Sequence, residues 1–436
     1  MKCAFYEKQV TPPIGSGIPG GFNPKRLSEG VEDDLYVKTV LFDDGERQAA
    51  LVVIDAVELP GKFRELITAR VREMTGIAPE NVAVCGTHTH YGVPCGEPDG
   101  TAEDEPYMDF LCRAAADSVF LAREKLQPCR LSFAMGRVDG VSFNRDYVMS
   151  DGHILTNPGK KYPASIVRPY AENDPVLPVL FVEDETGNKL GSIASFACHQ
   201  DTTTGRKYSG DYSSEMSYKL KEAYGQDFVS IYLAGASGDI NHIDFISRDT
   251  NPDYKRVTHR QIGRALAAEV IRLAPEAKPL DGDRVDSGFE TVNCRLRHAS
   301  AEELDLAKKI VRGEADASRL MLGALQAALL VSYEQVTEGQ TDGELPVQVM
   351  DVGGVTLFIM PGELYHQFGL KLRAQYPKSL VATLCNGFWG YMPVPELLGT
   401  DIYPAQLCAG SKWEPAAGDK LVTRALQMAG RLQAQG

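Results

Sequence analysis

The segment Asn81-Val-Ala-Val-Cys-Gly-Thr-His88-Thr-His90 sets two imidazoles at spacing i, i+2 just beyond a short apolar run. Side chains two apart on a strand share a face, so the spacing predicts that His88 and His90 point the same way. Such a pair can bind a metal together, or one histidine can bind while its neighbour moves protons. Alone, the pair is only a hint. Four further segments place a polar residue just past an apolar strand. Gly191-Ser-Ile-Ala-Ser-Phe-Ala-Cys-His199 ends in a histidine, and Gly354-Val-Thr-Leu-Phe-Ile-Met runs into Pro361-Gly362-Glu363. Ser379-Leu-Val-Ala-Thr-Leu-Cys leads to Asn386-Gly-Phe-Trp-Gly-Tyr391, and Ser230-Ile-Tyr-Leu-Ala to Gly235-Ala-Ser-Gly-Asp239-Ile-Asn241-His242. Singly, each has a plain explanation. His199 would pass as a satisfied core residue, Glu363 as a charge favoured at a helix N-terminus, and Tyr391 as a packing aromatic. The recurrence at strand ends is what carries weight.

The elements that deliver these residues alternate along the chain. Residues 34–42 and 49–54 read as strands around the turn Asp43-Asp-Gly-Glu, with Asp55 closing the second. Residues 62–75 carry helical periodicity, with Phe63, Leu66, Ile67 and Val71 on one stripe, and the His88 strand follows. This β-α-β rhythm predicts an α/β fold, a mixed and largely parallel sheet core flanked by helices, with ligands gathering at the carboxyl ends of strands. Helices are expected over 106–126, 211–223, 253–273, 364–375 and 417–434, the last packing on the sheet. A hairpin is expected from 176–182 and 190–198 around Asp184-Glu-Thr-Gly-Asn. Residues 150–170 read as a surface excursion, and 300–337 as one long helical segment. With no internal repeat or linker evident, the simplest organisation is a single domain over 1–436 with the 300–337 segment as an embellishment.

Composition excludes several classes. The chain has 436 residues, 43% hydrophobic and 24% charged, as in ordinary globular proteins. Its net charge of −14 argues against nucleic acid or an anionic membrane surface as the main partner. No run approaches the ~20 apolar residues of a membrane span, so no stable membrane association is expected. The first residues, Met-Lys-Cys-Ala-Phe-Tyr-Glu-Lys-Gln, lack the apolar core of a secretory signal, and nine cysteines fit reduced thiols. A cytoplasmic protein with a small-molecule substrate is the expectation.

Together the motifs resemble the catalytic domain of the neutral/alkaline non-lysosomal ceramidase family, in a short, bacterial-type form. The matching stretches are Thr11-Pro-Pro, Gly86-Thr-His-Thr-His, Phe143-Asn-Arg145, Phe196-Ala-Cys-His199, Gly210-Asp-Tyr, Gly235-Ala-Ser-Gly-Asp, Pro361-Gly-Glu363 and Asn386-Gly-x-x-Gly-Tyr391. They keep the family's order and span nearly the whole chain. The resemblance implies a catalytic zinc held by His88, His199, Glu363 and Tyr391. It also implies His90 as the proton-handling neighbour, Arg145 facing the developing oxyanion, and Tyr403, twelve residues after Tyr391, donating a second hydrogen bond. Asp55 and Asp239 would brace the ligands or hold a structural ion.

The departures from the family concern substrate more than chemistry. The loop Gly238-Asp-Ile-Asn241-His242 lacks the serine of the family's Gly-Asp-Val-Ser-Pro-Asn. The family's Ser-Gly-Pro-Gly-Gly after the paired histidines is replaced by Tyr91-Gly-Val-Pro-Cys95. The C-terminal immunoglobulin-like domain of larger ceramidases is expected to be missing, and no exposed apolar helix suggests membrane docking. All four favour a smaller, soluble substrate over a sphingolipid. The reading is therefore a zinc-dependent amidase acting on a small N-acylated substrate. The alternatives are an esterase or lactonase on the same site, or a non-catalytic binding protein retaining the fold. Two other signals are weaker. Gly15-Ser-Gly17-Ile-Pro-Gly20 fits G-x-G-x-x-G but is crowded by prolines, so a loop near the site mouth is expected rather than a dinucleotide site. Cys85, Cys198 and Cys385 lie beside proposed ligands, yet buried strand thiols usually act as small core fillers.

Overall fold

The computed structural model describes residues 1–21, 26–96, 103–158, 165–246 and 257–434. Three sheets dominate it. The first runs, in spatial order, through Val82–Gly86, Gln48–Ile54, Tyr36–Asp43, Lys2–Gln9 and Gln127–Pro128. The second runs through Val229–Ala234, Lys189–Phe196, Val176–Glu183, Arg130–Arg137 and Lys278–Pro279, and the third through Val285–Arg295, Asp342–Val352, Val355–Ile359 and Ser379–Ala382.

Strand alternation sends one set of side chains from all three sheets into a common core. Val40, Phe42, Leu51 and Val53 of the first sheet meet Leu180, Ile193 and Ile231 of the second and Met350, Leu357 and Leu380 of the third. The opposite faces are covered by helices. Gly61–Thr75 and Glu105–Arg123 pack on the first sheet, Asp211–Tyr224 and His259–Leu273 on the second, and His366–Gln375 and Ala417–Ala434 on the third. The terminal helix thus packs where expected.

The α/β class and the mixed sheets agree with the expectation, but the largely parallel pairing does not. Each main sheet has a single parallel pair at one edge and is otherwise antiparallel. Apolar runs such as Ala49-Ala-Leu-Val-Val-Ile are continuous because both sheet faces are covered, which mimics a parallel strand. The sheets also share a plan that sequence similarity did not reveal. In each, a tight hairpin is followed by a helix that crosses to a parallel strand: Tyr36–Asp43 to Val82–Gly86, Val176–Glu183 to Val229–Ala234, and Asp342–Val352 to Ser379–Ala382.

The three parallel edge strands meet at their carboxyl ends. Gly86 N donates to Leu384 O at 3.1 Å, Asn386 N to Val84 O at 2.7 Å, and Thr383 N to Ala234 O at 2.7 Å. Two other expectations change. The 300–337 segment forms two helices, Ala301–Val311 and Gly323–Val336, because Gly313 turns with φ +74° and Asp316 caps a new turn. Within 150–170, Ile154–Thr156 and Ile166–Pro169 are strands flanking Asp146–Met149, and Leu155 to Pro158 return to line a cavity. The helix expected from 253 begins, among the described residues, at His259; residues 253–256 lie outside them. No described helix is long and apolar enough to cross a membrane.

Candidate metal centre

The carboxyl ends of the edge strands bring the predicted residues together. His88 and His90 lie past the strand, which ends at Gly86, so period-two alternation is not what aligns them. His88 instead takes a left-handed conformation, φ +71°. That geometry is uncommon outside glycine and persists where surroundings impose it. The surroundings are specific. His88 N donates to Ala56 O, Thr87 Oγ1 to Asp55, and Gln200 Nε2 to Thr87 O, while Gln200 O accepts from His90 N at 2.9 Å. Gln200 thereby ties the His88 turn to the turn carrying His199.

The ring nitrogens define the centre. His88 Nδ1 lies 2.9 Å from Val57 O, His199 Nδ1 lies 2.9 Å from Ser237 O, and His90 Nδ1 contacts Gly20 O closely. A carbonyl can only accept, so each Nδ1 carries the proton and each Nε2 presents a lone pair. The three histidines cluster with ligand atoms within 4.8 Å of one another. Glu363 Oε2 joins them at 3.4 Å from His88 Nε2 and 3.2 Å from His199 Nε2, and has no contact of that range with His90. Tyr391 Oη is 3.3 Å from His199 Nε2. Among buried side-chain atoms, His88 Nε2, His90 Nε2 and Glu363 Oε2 lack hydrogen-bond partners. Lone pairs and a carboxylate turned on one point repel unless a cation or protons lie between them, so this donor set fits a metal ion.

Electrostatics follow from burial and proximity. Burial, reinforced by His88, lowers His90 to about 3, which keeps it neutral. Burial opposes charge on His88, but the Glu363 carboxylate outweighs it and raises the histidine. Burial likewise opposes charge on Glu363, yet His88 and His199 hold it well below the usual carboxylate range. His199 is lowered by burial and by Arg145. Arg145 points Nη1 at His199 Nε2, 3.3 Å away, and donates through Nη2 to Gly238 O at 2.5 Å. Tyr403 lies edge-on to Tyr391 with ring centroids 5.4 Å apart.

All seven predicted residues line one cavity of about 650 Å³. Asp55 and Asp239 stand behind it as braces. Asp55 accepts from Tyr36 N and Thr87 Oγ1, and Asp239 accepts from His366 N, His366 Nδ1 and Asn144 Nδ2. Three features escaped sequence reasoning: the Gly20 carbonyl behind His90, Asp201 held by His242 at 3.0 Å, and an apolar wall of Leu155, Met321, Leu322, Leu329 and Phe388. Strand-end polarity pointed towards Asp201, and the proline-crowded glycine loop pointed towards Gly20 without showing that its carbonyl holds His90; nothing local pointed towards the apolar wall. The Gly15–Gly20 segment is a loop at this cavity, and among the described residues no helix follows it as a dinucleotide site needs. Cys85, Cys198 and Cys385 are buried away from the cavity, and burial pushes the Cys198 and Cys385 thiols up, against a thiolate nucleophile.

Comparisons with known proteins agree with this architecture. No family model matches the chain. Neutral ceramidase A of Dictyostelium discoideum is 24% identical over 278 residues, covering 57% of this chain and 37% of that protein. The chain thus spans little more than a third of that relative. The neutral ceramidase structure from Pseudomonas aeruginosa superposes with a TM-score of 0.74 at 17% identity, over 100% of this chain and 74% of the other. A ceramidase complexed with C2 gives 0.75 at 17% identity, over 100% and 75%. The fold is that of the neutral ceramidases, as the motifs implied.

Proposed function

We propose that this chain, with its neutral ceramidase fold, is a zinc-dependent hydrolase that cleaves the C–N bond of a small N-acylated substrate. The observation that carries this reading is the convergence of the His88 and His199 Nε2 lone pairs, each fixed by an Nδ1–carbonyl bond, on the Glu363 carboxylate. His88, His199, Glu363 and Tyr391 are the ligand set. Zinc bound there supplies a nucleophilic water near neutral pH and polarises the scissile carbonyl.

The remaining steps belong to the protein. His90 stands beside the ligand set with a free Nε2 and a proton fixed at Nδ1. It takes the proton of the attacking water and returns it to the leaving amine, which cannot depart as an anion. Arg145 and Tyr403 donate to the oxyanion that develops on the substrate. The apolar wall accommodates the acyl group, and the cavity is within the usual range for small-molecule sites, about 300–1,000 Å³. An ester or lactone would use the same groups, with less need of His90 as an acid. The loop departures argue against ceramide itself. We read the chain as one catalytic unit, with the two helices of 301–336 as its embellishment, and its nine free cysteines fit a cytoplasmic location.

Metal analysis with activity tests this. The purified protein should carry about one zinc per chain, and His88→Ala and Glu363→Ala should each lose it together with amidase activity. A chelator should abolish turnover and a thiol-alkylating reagent should not. Retained zinc in both variants, or inhibition only by alkylation, would refute the assignment.

A further inference from the structure

The charged side chains around the cavity are matched with one exception. Arg145 faces Glu363, Asp201 is held by His242 at 3.0 Å, and Glu58 lies within electrostatic reach of Lys412. Arg26 also lines the cavity, and no carboxylate of the described residues pairs with it. Its guanidinium lies over the Tyr91 ring, 4.1 Å from the centroid. Nη1 donates to His90 O at 2.9 Å and to Pro19 O at 3.4 Å, and Nη2 to Gly205 O at 3.4 Å. A guanidinium has five N–H groups. These contacts use both protons of Nη1 and one of Nη2. The Nε–H and one Nη2–H are committed to no described residue, and the Nε and Nη2 edge is the one with which a guanidinium grips a carboxylate side-on.

We propose that Arg26 forms a carboxylate subsite, and that the substrates are N-acyl amino acids. This rests on the hydrolase reading above and names its substrate class. Arg26 is fastened to the backbone of His90, whose ring faces the metal centre, so it flanks the position of the scissile amide. In R–CO–NH–CHR′–COO⁻ the carboxylate carbon lies three bonds from the amide carbonyl carbon. A carboxylate on Arg26 would set that carbonyl at the metal centre and turn R towards Met321, Leu322 and Leu329. The stacked, backbone-anchored guanidinium is pre-ordered, so little rotamer freedom is lost on binding.

A binding experiment separates this from the chemistry. γ-Oxododecanoic acid is the ketone isostere of N-nonanoylglycine and cannot be hydrolysed; its carboxamide differs only in lacking the charge. Calorimetry on the zinc-loaded protein should show the acid binding at least about tenfold more tightly than the carboxamide. Arg26→Gln should bring the ratio near one, and Arg26→Lys should retain part of it. Equal affinities in the wild type, no binding of either compound, or a loss in Arg26→Gln that is the same for both would overturn the subsite, the last marking a purely structural arginine. Turnover of N-nonanoylglycine is measured separately. Charge-selective binding without hydrolysis would sink the hydrolase reading and leave the subsite standing.

Discussion

At the residue scale, the proposed ligand set could be picked out because its residue types stand at strand ends. His88, His199, Glu363 and Tyr391 need no knowledge of packing to attract attention, only a fold that brings strand ends together. What orients them was not legible, because the orienting groups are mostly backbone carbonyls, which every residue has. Gly20 is the clearest case. Its carbonyl fixes His90, its φ is +89°, and a Cβ there would lie 2.7 Å from three atoms of His90. Gly20→Ala combines a left-handed backbone, which costs about 1–2 kcal/mol for a residue with a side chain, with a direct clash. We expect kcat to fall by about a hundredfold or more, the scale of losing one proton-transfer group, while zinc content stays near one per chain because His90 is not in the proposed ligand set. Zinc lost with activity would instead make His90 a ligand.

At the element scale, apolar patterning located most helices and the fully buried strands, missed the half-exposed strands Lys2–Gln9 and Val285–Arg295, and failed where a local interaction decided the outcome. The helical segment 300–337 breaks at Gly313, and its halves pack through Ala307, Ile310, Ala327 and Leu330. Its attachment to the sheet depends partly on His298. Nδ1 lies 3.0 Å from Glu334 Oε2 and Nε2 lies 2.8 Å from Gln340 O, so both nitrogens meet acceptors and the doubly protonated ring suits the site. The hydrogen bond to Glu334 raises its pKa above the ordinary histidine value. A raised folded-state pKa adds stability that is fully present below the unfolded value, about 6.5, and is lost as pH rises through the folded one. His298 is exposed and Glu334 only partly covered, so solvent screening should keep the effect below about 1 kcal/mol. Hydrogen exchange in Gly323–Val336 should therefore quicken from pH 6 to pH 9 beyond its intrinsic rise. His298→Gln should flatten that excess. An excess that persists in the variant would place the titrating group elsewhere.

At the scale of the whole molecule, three hairpin-helix-strand units around one core were invisible in the sequence, since topology can recur without residue similarity. Continuous apolar runs announced burial on both faces but not the direction of pairing. The centre exists because the units meet, and Asn386 is where two of them lock. Its backbone, at φ +58°, donates to Val84 O. Its side-chain oxygen accepts from Val84 N at 3.2 Å and Arg64 Nε at 3.0 Å, and its Nδ2 donates to Gln348 Oε1 at 2.9 Å. Asn386→Ala would strand a buried amide, a guanidinium and a buried glutamine at once. Each unmet buried partner costs about 1–3 kcal/mol, and alanine tolerates the left-handed backbone less well than asparagine. A loss of about 3 kcal/mol or more in urea unfolding is the expected result, with zinc affinity falling because Tyr391 and His88 lie on the two elements joined there. Asn293→Ala removes one exposed bond to Asp342 and should change stability by no more than about 0.5 kcal/mol. If the two variants unfold alike, the first and third sheets are held together by their shared apolar core alone, and the polar junction only sets the geometry of the centre.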